Sequence, residues 1–242
     1  MRNVIRPLLS GTGLLSPVRE ARMALRRGRH RLRRGRLIAE YLAASRPRKL
    51  QLGSGANLLA GWLNSDSEPA HEGVVLVDAR RRLPFDDSTF DYVFCEHMIE
   101  HIEYLEGRAM LGECFRILRP GGWIRIATPD LRFLVELYSP QKSDLQRRYI
   151  SWATETFISG IGNPEDVFVI NNFFRAWGHK FIYDFKALSG AMRDVGFERM
   201  RSRKVAESDD AELCNLESHG FRIPAEFNRL ETLVVEAMKG RG

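Results

Sequence analysis

The chain has 242 residues, 44% of them apolar, enough to bury one substantial core, and no apolar run approaches the length of a membrane span. Three widely spaced cysteines, Cys95, Cys114 and Cys214, form neither a disulfide framework nor a metal-ligand motif, which points to a reducing, cytoplasmic compartment and away from secretion. The net charge of +6 is uneven: residues 1–49 carry 14 Arg and Lys against Glu20 and Glu40, or +12, and the remainder carries 23 basic and 29 acidic residues, or −6.

Residues 1–47 therefore read as a basic, partly helical arm ahead of a mildly acidic domain over 48–242. "RRGRHRLRRGR" (26–36) holds seven arginines and no acid. Beyond it, Leu37, Ile38, Tyr41 and Leu42 share one face of a helix running to about Ser45. Two readings of the arm stand: a solvated extension whose last turns pack on the domain, or an element attracted to polyanions. An anionic membrane surface suits it better than nucleic acid. Each cation near a bilayer contributes roughly 1 kcal/mol, and no aromatic residues interleave the arginines to stack bases. That surface would be an inner membrane face, with the protein peripheral to it. A transit peptide would share the composition.

From Lys49 the chain alternates short apolar runs with helical segments. "KLQLGS" (49–54) predicts a strand ending in a glycine turn, "GWLNSD" (61–66) a second, "GVVLVDA" (73–79) a third and "FDYVFCEH" (90–97) a fourth. A helix over about 104–118 follows, with Leu105, Ala109, Met110, Cys114, Ile117 and Leu118 on one face. "RPGG" stops it before a fifth strand, "WIRIATP" (123–129). Strand, turn, helix and strand in succession predict an α/β fold, Rossmann-like and mostly parallel, with helices on both faces. Ligands in such sheets bind beyond the carboxyl ends of the strands. The polar residues there are Gly53-Ser54-Gly55, Asp66, Asp78, Glu96-His97 and Thr128-Pro129-Asp130.

A glycine pair alone says little. Acids at the ends of the next two runs, Asp66 and Asp78, add meaning, because a carboxylate accepts hydrogen bonds from a ribose diol or an exocyclic amine. No lysine of the P-loop kind follows the glycines to hold phosphate. The pattern favours a nucleoside without phosphates.

"LQLGSGAN", "GWLNSDSEP", "VDARRRLPFDDSTFDYVFCEHMIEHI" and "CFRILRPGGWIRIATPD", in this order, resemble the successive motifs of class I S-adenosylmethionine-dependent methyltransferases, in the broad subgroup with an "LPF-D-SFD" signature. "HKFIYDFKALSGAMRDVGFE" is similar to that subgroup's helix and sixth strand, and "ETLVVEAMK" to its final antiparallel strand. The resemblance implies a seven-stranded sheet and S-adenosyl-L-methionine as cofactor. It implies that Gly53, Ser54 and Gly55 let backbone approach the cofactor, that Asp66 takes the ribose hydroxyls, and that Asp78 with Ala79 meets the adenine. Glu96 and His97 would lie near the methionine end. Three departures stand out. Gln51 replaces a frequent acid, and Asn57 replaces a third glycine. Only 13 positions separate Gly53 from Asp66, which shortens the first crossover.

Methyl transfer onto an alcohol gains from positioning and from a general base. His97 and His179 are the candidate catalytic residues, and His101 could face the same cleft. Each could equally be a histidine that meets backbone or caps a helix. Residues 139–178 read as an insertion whose Trp152, Phe157, Phe173, Phe174 and Trp177 either line an acceptor surface or pack the insertion on the sheet. The acids of "ESDDAELCNLESHGFR" (207–222) are expected to solvate a surface loop. Asp130 and Glu96 make a poor hard-ion set, so no metal is expected. The expected function is methyl transfer to a small or membrane-associated acceptor, such as a saccharide or lipid-linked hydroxyl. The alternatives are a non-catalytic scaffold of the same fold and a nucleic-acid-directed methyltransferase. "CEHM" after the fourth strand, in place of an "NPPY"-type tetrapeptide, weakens the last.

Overall fold

The computed structural model describes residues 15–217 and 223–241, with side chains described from Ala24 onward. The first fourteen residues of the arm and residues 218–222 of the polar loop lie outside the described residues. Seven strands form one sheet in the order β3-β2-β1-β4-β5-β7-β6: β1 (Lys49–Leu52), β2 (Leu63–Asp66), β3 (Val75–Leu76), β4 (Phe90–Glu96), β5 (Leu118–Pro129), β6 (Phe197–Arg203) and β7 (Thr232–Lys239). The pairs from β3 to β5 are parallel, and β7 runs antiparallel to both β5 and β6. The strand order reverses at β1, between β2 and β4, which is where such sheets take ligands. The expected Rossmann-like sheet with an antiparallel last strand is the sheet found.

The first crossover is short. No helix separates β1 from β2; a string of turns over residues 53–62 makes the connection. Among its described residues the arm differs from expectation in forming one helix, α1 (Leu15–Ala44), continuous through the arginine run. Arginine is a good helix former, so the run has no reason to break. Leu37, Ile38, Tyr41 and Leu42 pack on the main core, and the Tyr41 hydroxyl donates to the Lys49 carbonyl at 2.8 Å. Arg27 and Arg33 reach Glu68 and Glu72 at 2.7 and 2.8 Å, which lays α1 along the segment between β2 and β3.

Helix α2 (Tyr104–Ile117) buries Gly107, Met110, Leu111, Cys114 and Ile117. The expected apolar face was offset, since Leu105 is 72% exposed. "RPGG" is also not a gap between helix and strand. β5 begins at Leu118, and its pairing jumps from Phe90↔Leu118 to Tyr92↔Trp123, so the glycines form a bulge within it. Gly121 sits at φ +81°, and a β-carbon on Gly122 would lie 2.9 Å from the Asp91 carbonyl oxygen.

Four further helices build a second core: α3 (Leu131–Leu137), α4 (Asp144–Phe157), α5 (Asp166–Arg175) and α7 (Ala225–Glu231). Phe133, Leu137, Tyr149, Val169, Phe173 and Phe227 are buried together there. α4 begins at a capping box, Gln146 N donating to Ser143 Oγ and Ser143 N to Gln146 Oε1. Helix α6 (Phe185–Asp194) packs on the main core. Several acids of the polar loop are paired rather than free in solvent, although Asp209 stays largely exposed. Glu212 pairs with Lys49, Asp210 accepts from the Tyr92 hydroxyl, Asp209 meets Arg201 and Arg203, and Glu217 meets Arg125 inside the protein.

Candidate active site

The ends of β1, β2 and β3, with the segment after β4, enclose a cleft of about 470 Å³. Gly53, Gly55, Asp66, Asp78, Ala79 and His97 all line it. The glycines take φ of +67° and +52°, in the left-handed region that side chains resist. Asp66, the last residue of β2, holds their turn in place: one carboxylate oxygen accepts from Gly55 N at 2.9 Å and the other from Glu68 N at 2.7 Å. Asp78 is gripped by the Arg80 guanidinium at 2.9 and 3.0 Å, and these Arg80 hydrogen bonds hold its carboxyl below the usual range.

Two of the residues expected at the cofactor are not on the cleft wall. Ser54 is buried, its amide donating to the Ser65 carbonyl at 2.9 Å. Glu96 is buried beneath the turn and accepts from Asn57 Nδ2 at 3.0 Å. Asn57, standing where a third glycine was expected, thus ties the turn to the end of β4. It also reaches the Leu216 carbonyl at 3.3 Å. Gln51 is buried with no hydrogen bond to Oε1.

A second cavity of about 270 Å³ adjoins the first. Tyr149, Phe157, Phe173 and Trp177 from the 139–178 insertion line it, with Glu100, His179 and Glu231. Of the other candidate aromatics, Trp152 packs against Tyr149 and Phe227, and Phe174 is 47% exposed. His97 and His101 line both cavities.

His97 has φ +43°, an uncommon conformation for a side-chain-bearing residue, and its amide donates to the Ala127 carbonyl at 2.9 Å. Its Nδ1 lies 3.2 Å from Glu100 Oε1. Burial disfavours charge on the ring, but Glu100 outweighs it and the pKa of His97 is raised. Burial likewise opposes ionisation of Glu100, and His97 reverses it, so the carboxyl sits below its usual range. His179 moves the other way, lowered chiefly by burial. Glu231 is pushed up to about 7 by burial and accepts a short hydrogen bond from the Tyr149 hydroxyl. Glu100, Glu231 and Tyr149 were not singled out in the sequence. Glu100 stands in the "CEHMIEHI" run three residues from His97, and that spacing was its one local signal.

Residues 50–126 match a family model described as a methyltransferase domain. Over this stretch, about a third of the chain, the sequence is that of a methyltransferase domain. It is 50% identical over 40 residues to the sterol 24-C-methyltransferase of Schizosaccharomyces pombe, a match covering 16% of this chain and 10% of that protein. The chain thus spans about a tenth of the curated relative it matches. A methyltransferase structure from Archaeoglobus fulgidus is similar at 18% identity and TM-score 0.49, covering 87% of this chain and 94% of that one. One from Thermotoga maritima is similar at 18% identity and TM-score 0.46, covering 84% and 87%.

The methyltransferase-domain match supports S-adenosylmethionine as cofactor, and the cleft suits it. The two left-handed glycines let backbone close on a ligand without β-carbons, and Asp66 at the end of β2 and Asp78 just after β3 offer carboxylates of the kind that accept from hydroxyls and amines.

Proposed function

We propose that this methyltransferase domain transfers a methyl group to a hydroxyl of a small or lipid-linked acceptor seated in the aromatic cavity. The observation that carries the reading is that the glycine-turn cleft and the aromatic cavity share His97 and His101 as a common wall. Bound cofactor supplies a methyl group on a sulfonium. The task of the protein is then to hold an acceptor oxygen in line and to take its proton. Gly53, Gly55, Asp66, Asp78 and Ala79 hold the nucleoside. Tyr149, Phe157, Phe173 and Trp177 enclose the acceptor in an apolar shell that excludes water.

Glu231 is the group we assign to the proton. A buried carboxyl titrating near 7 can accept a proton at neutral pH far better than an exposed one, and Tyr149 orients it. His97 and His179 then act as walls and polar contacts for the acceptor. We also infer that α1 rests on an anionic membrane surface. Leu25 and Leu32, seven positions apart on the helix, are 68% and 87% exposed among arginines, a pattern suited to the membrane interface.

The test is calorimetric titration of the protein with S-adenosylmethionine and with its demethylated product, beside Asp78→Ala, followed by labelled methyl transfer to a panel of lipid-linked and free alcohols. Micromolar binding weakened in the variant supports the reading. Absence of binding to either ligand would leave the fold as a scaffold.

A further inference from the structure

Glu100 is set deep in the wall of the aromatic cavity. The residue is 0% exposed. Oε2 accepts from Thr128 Oγ1 at 3.1 Å, and Oε1 lies 3.2 Å from His97 Nδ1. A buried carboxylate is costly unless cations meet it, and beside His97 two further imidazoles that could hold one stand close by. His101 and His179 flank it, and one ligand atom from each of the three lies within 4.8 Å of the others. The two imidazole centroids are 4.9 Å apart.

His179 is prepared for ligation. Its Nδ1 lies 2.7 Å from the Phe173 carbonyl oxygen, which can only accept, so Nδ1 carries the proton and Nε2 keeps its lone pair. Metal-bound histidines are commonly oriented by a hydrogen bond of this kind, and Thr128 does the same for the carboxylate. The amides of Lys180 and Phe181 donate to the Glu100 carbonyl at 2.7 and 3.2 Å. They fasten the 3-10 turn Ile99–His101 to the segment that carries His179.

We propose that Glu100, His101 and His179 form a site for a divalent transition-metal ion of the zinc type. Two imidazoles with one carboxylate suit zinc, cobalt or iron(II), whereas magnesium and calcium prefer oxygen alone. Neither carboxylate considered in the sequence takes part, because Asp130 caps α3 and Glu96 is engaged by Asn57. All three ligands line the aromatic cavity, so a fourth coordination position is available to a ligand there. The role of that position, holding the acceptor oxygen, rests on the methyltransferase reading; binding of the ion does not.

The full chain, stripped with chelator, is titrated with Zn²⁺ by calorimetry and with Co²⁺ by visible absorption, beside His101→Ala and His179→Ala. Circular dichroism and a separate S-adenosylmethionine titration accompany each sample. The expected result is one ion per chain, a Co²⁺ ligand-field spectrum, and affinity weakened about 100-fold in both variants, while the fold persists in both and cofactor binding persists in His179→Ala, whose residue lies outside the cofactor cleft. If His179→Ala unfolds, His179→Gln takes its place. A wild-type chain that binds cofactor but no stoichiometric metal overturns the proposal, as does binding unchanged in the variants, which would place the ion elsewhere, for instance on Cys214. A chain that binds metal but no cofactor would overturn the methyltransferase reading and leave the site standing.

Discussion

The Met98 side chain occupies the space where a β-carbon on Gly53 would stand: its Cγ would lie 2.5 Å and its Cβ 2.8 Å from that atom. Gly55, two residues on, faces open space. Both glycines have positive φ, so alanine at either costs roughly 1–2 kcal/mol of backbone strain. Only at Gly53 is a steric clash added. Gly53→Ala is therefore expected to abolish cofactor binding and lower the melting temperature clearly more than Gly55→Ala. Equal losses in the two, measured by titration and thermal melting, would refute the assignment of Gly53 as the close-contact position.

Glu231 sets a pH dependence. Burial raises its pKa from 4.5 to about 7 in the folded state, against the Tyr149 hydrogen bond and the charge of His97, which lower it. Between those values the folded chain holds a proton that the unfolded chain has released, so stability falls as pH rises through this window. Glu231→Gln removes the ionisation. Its stability should lose this contribution to pH dependence between pH 5 and 8, gaining on wild type by on the order of 2 kcal/mol at the upper end. If Glu231 takes the acceptor proton, the same variant loses about 10²–10⁴-fold in kcat together with the acid limb near pH 7. Denaturant melts and a pH–rate profile provide the check, and a parallel pH dependence of stability in both proteins would count against the buried carboxyl.

Arg125 is fully buried on β5, bonded to Glu217 and Glu236 at 2.5 Å each and to the carbonyls of Glu207 and Lys204. It connects the polar loop to the sheet. Removing one partner of a buried charge network leaves the others uncompensated, at a cost of roughly 3–5 kcal/mol. Arg125→Ala should lose about that much in urea denaturation, whereas Arg201→Ala, whose partner Asp209 is solvated, should lose under about 1 kcal/mol. A small effect at Arg125 would mean that the loop is not held through it.

Much of the sheet was readable from local pattern. Valine-rich and alternating runs ending in glycine or acid gave the strand ends, and the 13 positions between Gly53 and Asp66 excluded a crossover helix, as the turns there bear out. The cleft wall was partly readable for the same reason, since Asp66 ends β2 and Asp78 follows β3. What failed to show depends on contacts distant in sequence. Ser54 and Glu96 carry suitable chemistry but face inward, a matter of side-chain direction that spacing does not set. Glu231 lies at the end of α7, 82 positions from the Tyr149 that bonds it, and only the packing of α4 against α7 joins them. The acids of the polar loop looked solvated because their arginine and lysine partners are on other strands.

The exposed leucines of α1 separate charge from apolar insertion at a membrane. Arg26, Arg29 and Arg31 are exposed on the helix, whereas Arg27, Arg33 and Arg36 pair with Glu68, Glu72 and Glu40. If α1 rests on an anionic bilayer, replacing the three exposed arginines by alanine should weaken vesicle binding by roughly 1 kcal/mol each at low salt. Added salt should weaken the wild type in the same direction. Leu25→Ser with Leu32→Ser should weaken binding at high salt as well, because burial of apolar area is not screened. None of these surface changes should alter the melting temperature appreciably. Flotation with vesicles of anionic and of neutral lipid reads both effects. Equal flotation of the arginine variant and the wild type would remove the membrane from the account of α1, and loss with salt alone would make the contact purely electrostatic.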